Sequence, residues 1–499
     1  MENIIYADKI IKKQENFWNH IVFHPTDAIE DEWGQKILDE ASKDRAVQFV
    51  RIYAMFEDIF TQDENGEILC DYSLCDERID YLLSRNFKPM IAYAGIPAFL
   101  ARDSSEQSSM SNGKTRYKGK MWITSPPKDY KLWETLCRLF TEHILTRYGQ
   151  DEVETWYLHC FNEPDIPGFF IAGDWDLHYE ERVFEYCKLY EGFLSGITSV
   201  CTSLRLGGCA AATPPFLERF LQYVTKNKLR LDYVNFHIYG TDPMKAQSGE
   251  KPVSIDSHFQ VNDTYYSIIR KYLSPKTEVV VDEWGACSHG FFKASQYPVT
   301  LFRETEKFSA YFFMLIERYL RQEASPGKLM ICLSGQHEMT SEFEGFRNFF
   351  SLHFIKKPIY NAFILAGKFK ENLLESTACE KNQTIIATKD KAGKLVCSLT
   401  YAAPDLCEML KPKEQKLRIE GISAGKKQVT IWTIDPENTN PYAVSQRKGY
   451  PEKLNIAQIE ELRAVGILKP KKLIVQAENS LDLTLKLLPN SVHLIEVEN

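Results

Sequence analysis

TEVVVDEW, residues 277–284, is an apolar run that stops on two acids. Three successive valines leave neither face of such a strand polar, so it is buried on both sides, as in a parallel sheet covered by helices. Seven more runs are of the same kind: HIVFH (20–24), AVQFVRIY (46–53), KPMIAYA (88–94), TWYLHCFN (155–162), LRLGGCA (204–210), LDYVNFHI (231–238) and KLMICLS (328–334). Helical patterns lie between them. In Asp129–Gly149, Leu132, Trp133, Leu136, Leu139, Phe140 and Ile144 share one face, with Asp129 placed to cap the start and Gly149 to stop the end. Glu180–Cys201 repeats the pattern with Val183, Tyr186, Tyr190, Phe193 and Ile197. Eight strand–helix units predict an α/β chain whose residues 15–360 form a (β/α)8 TIM barrel, with a doubly wound open sheet as the structural rival.

Beyond about residue 365 the period changes. NQTIIATKD, GKLVCSLTYA, QKLRIEGIS, KKQVTIWTID, KKLIVQAEN and SVHLIEVE are short strand-like runs separated by turn residues. They predict an accessory antiparallel β-sandwich from residues 361–499, which the alternating start NIIYADKII, within residues 1–14, can join. The Ser-, Gly- and Lys-rich stretch Asp103–Lys120 follows the third barrel strand, where a long loop is a candidate lid. Its Gly113-Lys114-Thr115 triplet is no P-loop, because Ser108 stands where the first glycine is required.

Composition excludes several classes. The 499 residues carry 60 Lys+Arg against 68 Asp+Glu, a net charge of −8, so no basic footprint for nucleic acid or anionic membrane exists. No apolar run approaches the ~20 residues that span a bilayer, and Met1–Lys13 does not read as a secretory signal. The compartment and the oligomeric state stay open. The 12 cysteines show neither CxxC nor zinc-site spacing and are expected as small buried apolar groups. No cofactor or metal is expected.

The chemistry lies in acids at strand ends. Glu163 follows the fourth strand in CFNEPD and Glu283 ends the seventh in VVVDEW. In a barrel both face the C-terminal rim, where the active sites of this fold sit. A carboxylate buried there without purpose is destabilising. Two of them across a sugar-sized gap suit glycoside hydrolysis, one protonated to release the leaving group and one ionised to meet the oxocarbenium-like carbon. Asn162, Arg51, His237, Tyr239 and Trp284 surround them with groups suited to hydroxyls.

FNEPD (161–165), HIYG (237–240) and DEW (282–284), each after a strand, resemble the clan A glycoside hydrolases. The wider text is similar to glycoside hydrolase family 39, which includes β-xylosidases and α-L-iduronidases. The resemblance runs through VRIYAMFED (50–58), KPMIAYAGIPAFLA (88–101), SPPKDYKLWETL (125–136) and RYGQDEVETWYL (147–158). It continues in EGFRNFFSLHFIKKPIYNAF (344–363) and in residues 434–468, with their xNxYxxxxxxGxP pattern. It implies a retaining exo-glycosidase acting on an oligosaccharide, with Glu163 as acid/base and Glu283 as nucleophile. Asn162 would bond the sugar's 2-hydroxyl, Arg51 would support the nucleophile and Tyr239 would hydrogen-bond it. His237 is either a satisfied rim residue or a sugar ligand. Trp284 is a stacking platform or core, while Trp122 and Trp175, on rim loops, are candidates to stack on further sugars.

Several positions depart from the family pattern: Phe161 for Trp, His159 for an acid, Arg51-Ile52-Tyr53 for an Arg-x-His, Gly285 for Asn, and ICLSGQHE (331–338) without the strand-eight aromatic. A remodelled sugar site, with weak turnover of simple aryl β-xylosides, is the expectation. Against the enzyme stands a non-catalytic carbohydrate-binding protein, which would need neither glutamate; a glycosidase for arabinose, galactose or a uronic acid is the nearer alternative.

Overall fold

The computed structural model describes residues 2–23, 29, 31–109, 121–323, 325–335, 338–406 and 408–498. Eight parallel strands close into a ring: β1 (His20–Phe23), β2 (Phe49–Met55), β3 (Lys88–Ala94), β4 (Tyr157–Cys160), β5 (Leu206–Ala211), β6 (Tyr233–Thr241), β7 (Glu278–Cys287) and β8 (Lys328–Leu333). Closure is made where Met330 of β8 pairs with His20 of β1. Each of the eight overlaps one of the runs read from the sequence, because each run is buried on both faces; four of them extend one to three residues past the run's end, at Met55, Ala211, Thr241 and Cys287.

The lower barrel interior is filled by Val22, Met90, Tyr157, Tyr233, Val280 and Met330, with Phe49 packed against them. β5 gives a glycine instead: a Cβ on Gly207 would fall 2.2 Å from Cζ of Tyr233. The Tyr233 ring therefore fills that place, and its hydroxyl donates to the Leu158 carbonyl at 2.9 Å. The helices Tyr130–Tyr148 and Tyr179–Thr198 flank β4. Asp129 caps the first as expected, accepting from the Lys131 and Leu132 amides at 2.8 and 3.1 Å. The two cross so closely that a Cβ on Gly196 would lie 2.4 Å from the Glu134 carbonyl oxygen.

The accessory unit is a nine-stranded, mostly antiparallel sheet around its own apolar core. Its two outermost strands, Lys471–Ala477 and Ser480–Leu487, are separated by two residues in the chain, so the sheet curls until its ends meet. The N-terminal strand Asn3–Lys13 lies inside it, antiparallel to Asn372–Thr377 and parallel to Lys413–Glu420. Helix Glu306–Arg321 of the barrel packs on strand Ser491–Glu498. The xNxYxxxxxxGxP segment returns to the barrel, where Asn440 donates to Glu306 Oε2 at 2.6 Å and Asn361 to the Gly466 carbonyl at 2.8 Å.

All eleven described cysteines are free and most are buried, and no helix among the described residues is long and apolar enough to cross a membrane. Of the candidate lid, Gln107–Ser109 pairs with Met121–Ile123 as a hairpin, while residues 110–120 lie outside the described residues.

At Gly196 the two helices that flank β4 touch backbone to backbone. Gly196→Ala is expected to destabilise the protein by about 1–3 kcal/mol, since backbone must move to admit the methyl. An unchanged urea midpoint would show that the helices can part freely.

Candidate active site

Two backbone irregularities aim the acids. After β4 the chain takes left-handed conformations at Phe161 (φ 60°) and Glu163 (φ 42°) on either side of Asn162. Each such residue is strained by about 1–3 kcal/mol. The turn is held by Phe161 N–H donating to the Tyr93 carbonyl (2.9 Å) and Glu163 N–H to that of Ala210 (3.0 Å). Asp165 accepts from the Ala212 amide and the Thr213 hydroxyl at 3.0 and 2.7 Å, and burial pushes its carboxyl up to about 6. On β7, pairing with both neighbours shifts register at Asp282–Glu283. Strict alternation would send these two side chains to opposite faces; the bulge lets both reach Arg51.

Arg51, wholly buried on β2, ties the site together. Its Nη1 donates to Glu283 Oε1 (2.8 Å) and to the Tyr53 oxygen (3.1 Å), and its Nη2 to Asn162 Oδ1 (2.8 Å). Its Nε lies 3.0 Å from His159 Nε2 and 3.1 Å from Asp282 Oδ2. The Tyr53 hydroxyl donates to Asn162 Oδ1 at 3.0 Å. With Oδ1 occupied twice, the amide NH2 of Asn162 is the end left for a ligand. His159 accepts at Nε2 and is neutral: burial, then the Arg51 charge, pushes it down to about 3.

Tyr239 donates to the other oxygen of Glu283 at 2.7 Å. Burial works to raise the Glu283 carboxyl, but His237, Arg51 and Arg347 outweigh it and hold it well below the ordinary carboxylate range. Asp282 is likewise held ionised against its burial, chiefly by Arg51 and His237. His237 puts Nδ1 2.7 Å from Glu163 Oε1, with Nε2 3.6 Å from Asp282 Oδ1. Burial opposes its charge, but the Glu283 and Asp282 carboxylates and the hydrogen bond to Glu163 prevail and push it up to about 10. It is an imidazolium facing three acids. One oxygen of Glu163, one of Glu283 and a ring nitrogen of His237 all lie within 4.8 Å of one another.

The profile of the glycosyl hydrolases family 39 matches residues 1–481. The chain belongs to that family. It is 26% identical over 525 residues to a beta-xylosidase of Caldicellulosiruptor saccharolyticus, covering 100% of this chain and 99% of that one. A beta-xylosidase of Geobacillus stearothermophilus is 24% identical over 447 residues, covering 86% and 80%. The fold superposes on the crystal structure of a monomeric beta-xylosidase from Caulobacter crescentus CB15 with a TM-score of 0.81, at 20% identity and 99% coverage of each chain. This family 39 member is therefore a glycoside hydrolase.

Of the candidate site residues, the structure brings Glu163, Glu283, Asn162, Arg51, Tyr53, His159, His237 and Tyr239 together. Two tryptophans stand elsewhere. Trp284 is 0% exposed and stacks on Phe312 with centroids 5.9 Å apart: next to an inward Glu283, it points into the helix layer and presents no face to a sugar. Trp122 is 1% exposed and donates to the Phe169 carbonyl at 2.7 Å, so it stitches the rim hairpin to the loop after β4 rather than offering a platform. Trp175 does keep a partly exposed ring, on a loop where buried Arg182 donates to four carbonyls. The sequence reading missed Asp282 and Arg347. Asp282 is visible in DEW, but alternation turns it outward and only the bulge brings it in; Arg347 follows β8 in a segment without any period.

Breaking this charge cluster is expected to be severe. Arg51→Met leaves Asp282 and Glu283 buried without their cation and should cost about 3–5 kcal/mol in urea unfolding, with loss of activity. Alkaline stability tests His237. The folded protein holds its proton to about pH 10, against 6.5 for the unperturbed group. This stabilisation is complete below about pH 6.5 and is lost as pH rises toward 10. The unfolding midpoint should fall across that window, and less steeply in His237→Gln; equal slopes would contradict the assignment.

Proposed function

We propose that this protein is a retaining exo-glycosidase that removes a terminal xylose-like sugar from an oligosaccharide, with Glu163 as acid/base and Glu283 as nucleophile. The observation that carries the reading is the closeness of the two carboxylates at the ends of β4 and β7, oxygens within 4.8 Å. Retaining enzymes hold the pair about 5–5.5 Å apart, whereas inverting ones leave room for a water between them.

In the first step the Glu163 proton passes to the glycosidic oxygen as its bond to the anomeric carbon breaks, and a Glu283 oxygen bonds that carbon. His237 engages one Glu163 oxygen and leaves the other for the leaving group; as a cation it stabilises the carboxylate formed when the proton departs. In the second step Glu163 takes a proton from water, whose oxygen displaces Glu283 and gives the sugar in its original configuration. Arg51 and Tyr239 hold Glu283 by separate oxygens, so its orientation precedes substrate. The amide NH2 of Asn162, whose Oδ1 is taken by Arg51 and Tyr53, would donate to the 2-hydroxyl.

The curated relatives named beta-xylosidases support the xylose-like glycone. So does the position of most departures. His159 is buried behind Arg51, Phe161 packs against Trp122, and Gly285 lies against the Tyr239 ring. They reshape the support of the site, while on the β8 side ICLSGQHE (331–338) lacks the aromatic of the family pattern.

Glu283→Ala should lose several orders of magnitude in turnover, and added azide should yield a glycosyl azide of inverted configuration. Glu163→Ala should retain glycosylation by a dinitrophenyl glycoside while failing on poor leaving groups. If the first-formed sugar has the opposite anomeric configuration to the substrate, the double displacement is wrong. Among aryl xyloside, arabinoside, galactoside and glucuronide, the xyloside is expected to have the highest kcat/KM. A galactoside or glucuronide turned over faster would overturn the glycone.

A further inference from the structure

The β8 side of the site contains a second buried guanidinium. Arg347 is 6% exposed. Its backbone is fixed on both sides: its amide donates to the Gly290 carbonyl (2.8 Å), and its carbonyl accepts from the Ser334 amide (2.7 Å). The residue is thus clamped between the end of β8 and the loop that follows β7. The seat is tight, since a Cβ on Gly290 would lie 1.9 Å from Ser334 Oγ and 2.7 Å from Arg347 Nε. Nη2 donates to the Cys332 thiol at 3.1 Å. Nε and Nη1 find no acceptor among the described residues.

A buried cation with two donor nitrogens that meet no acceptor among the described residues is unfavourable to a fold, so packing alone does not explain it. Its position supplies a reason. The guanidinium carbon lies 4.7 Å from the centroid of the Tyr239 ring, close enough for a cation–π contact. The hydroxyl of that ring donates to Glu283 Oε2 at 2.7 Å. A cation on the ring face draws electron density from the phenol and strengthens its O–H as a donor. The chain of contact runs from Arg347 through Tyr239 to Glu283, on the opposite carboxylate oxygen from Arg51.

We propose that Arg347 is a positioning residue for the reaction: resting on Tyr239, it fixes that ring and strengthens its hydrogen bond to Glu283, orienting the nucleophile from the β8 side. The proposal rests on reading Glu283 as the nucleophile. That reading fails separately, if Glu283→Ala gives no glycosyl azide.

A double-mutant cycle tests it. kcat and KM are measured on an activated aryl glycoside for the unmutated enzyme, Arg347→Met, Tyr239→Phe and the pair. If Arg347 acts through the hydroxyl, Arg347→Met lowers kcat about 10- to 100-fold with Tyr239 present and less than about 3-fold in the Tyr239→Phe background. KM changes little in either. Arg347→Lys, which keeps a cation over the ring, should recover most of the loss. Equal fractional losses in both backgrounds would overturn the proposal, as would a lysine variant no better than methionine. Should Arg347→Met not fold, Arg347→Gln takes its place in the same cycle and is read by the same criteria.

Discussion

The Arg51 guanidinium is the constraint on which the site depends. Buried acids such as Glu283 and Asp282 need a cation beside them, and Arg51 alone touches Glu283, Asp282, Asn162, Tyr53 and His159. Its planar fork sets distances between strands β2, β4 and β7 that apolar packing could not specify so narrowly. Replacing the cluster by hydrocarbon would give an equally stable barrel or a better one. Its presence is a mark of function, while most of the apolar burial that stabilises the barrel lies between its strands and the surrounding helices, with a smaller share in the lower interior around Val280, Met330 and Tyr233.

Much of the fold was legible because two-sided burial leaves a plain trace. KPMIAYA and TEVVVDEW have no polar face, and eight such runs separated by helices fit a closed barrel, with a doubly wound open sheet as the rival that the ring of strands rules out. The change to short runs after residue 365 was as readable, and so was the joining of NIIYADKII to that later sheet. What alternation could not convey was local breakage of its own rule. The bulge at Asp282–Glu283 puts adjacent acids on one cation, so Asp282 read as an outward residue. The left-handed residues beside Asn162 leave no compositional mark either, since neither Phe161 nor Glu163 is a residue that favours such a conformation.

Aromatic residues were the least legible part. Trp284 lies next to a site motif and Trp122 on a rim loop, and these positions along the chain suggested proximity to substrate. Their actual surroundings depend on which way one strand residue faces and on how a hairpin packs over a loop. Both are long-range facts: Phe312 and Phe169, which receive these rings, sit 28 and 47 residues away. Arg347 illustrates the converse. Nothing near it in the chain distinguishes it, and its importance arises from Gly290, Ser334 and Tyr239 meeting around it.

The N-terminal strand has a consequence for biosynthesis. Asn3–Lys13 leaves the ribosome ahead of the barrel, yet its partners Asn372–Thr377 and Lys413–Glu420 emerge only after the whole barrel has been made. The barrel can close on its own consecutive strands while this apolar ribbon waits without a mate. During that interval its unpaired edge is open to any other nascent chain, the kind of exposure that makes slow, non-local sheets prone to aggregate. The speed at which the later strands are made thus bears on yield, because the early strand finds its place in the sheet only once they have emerged.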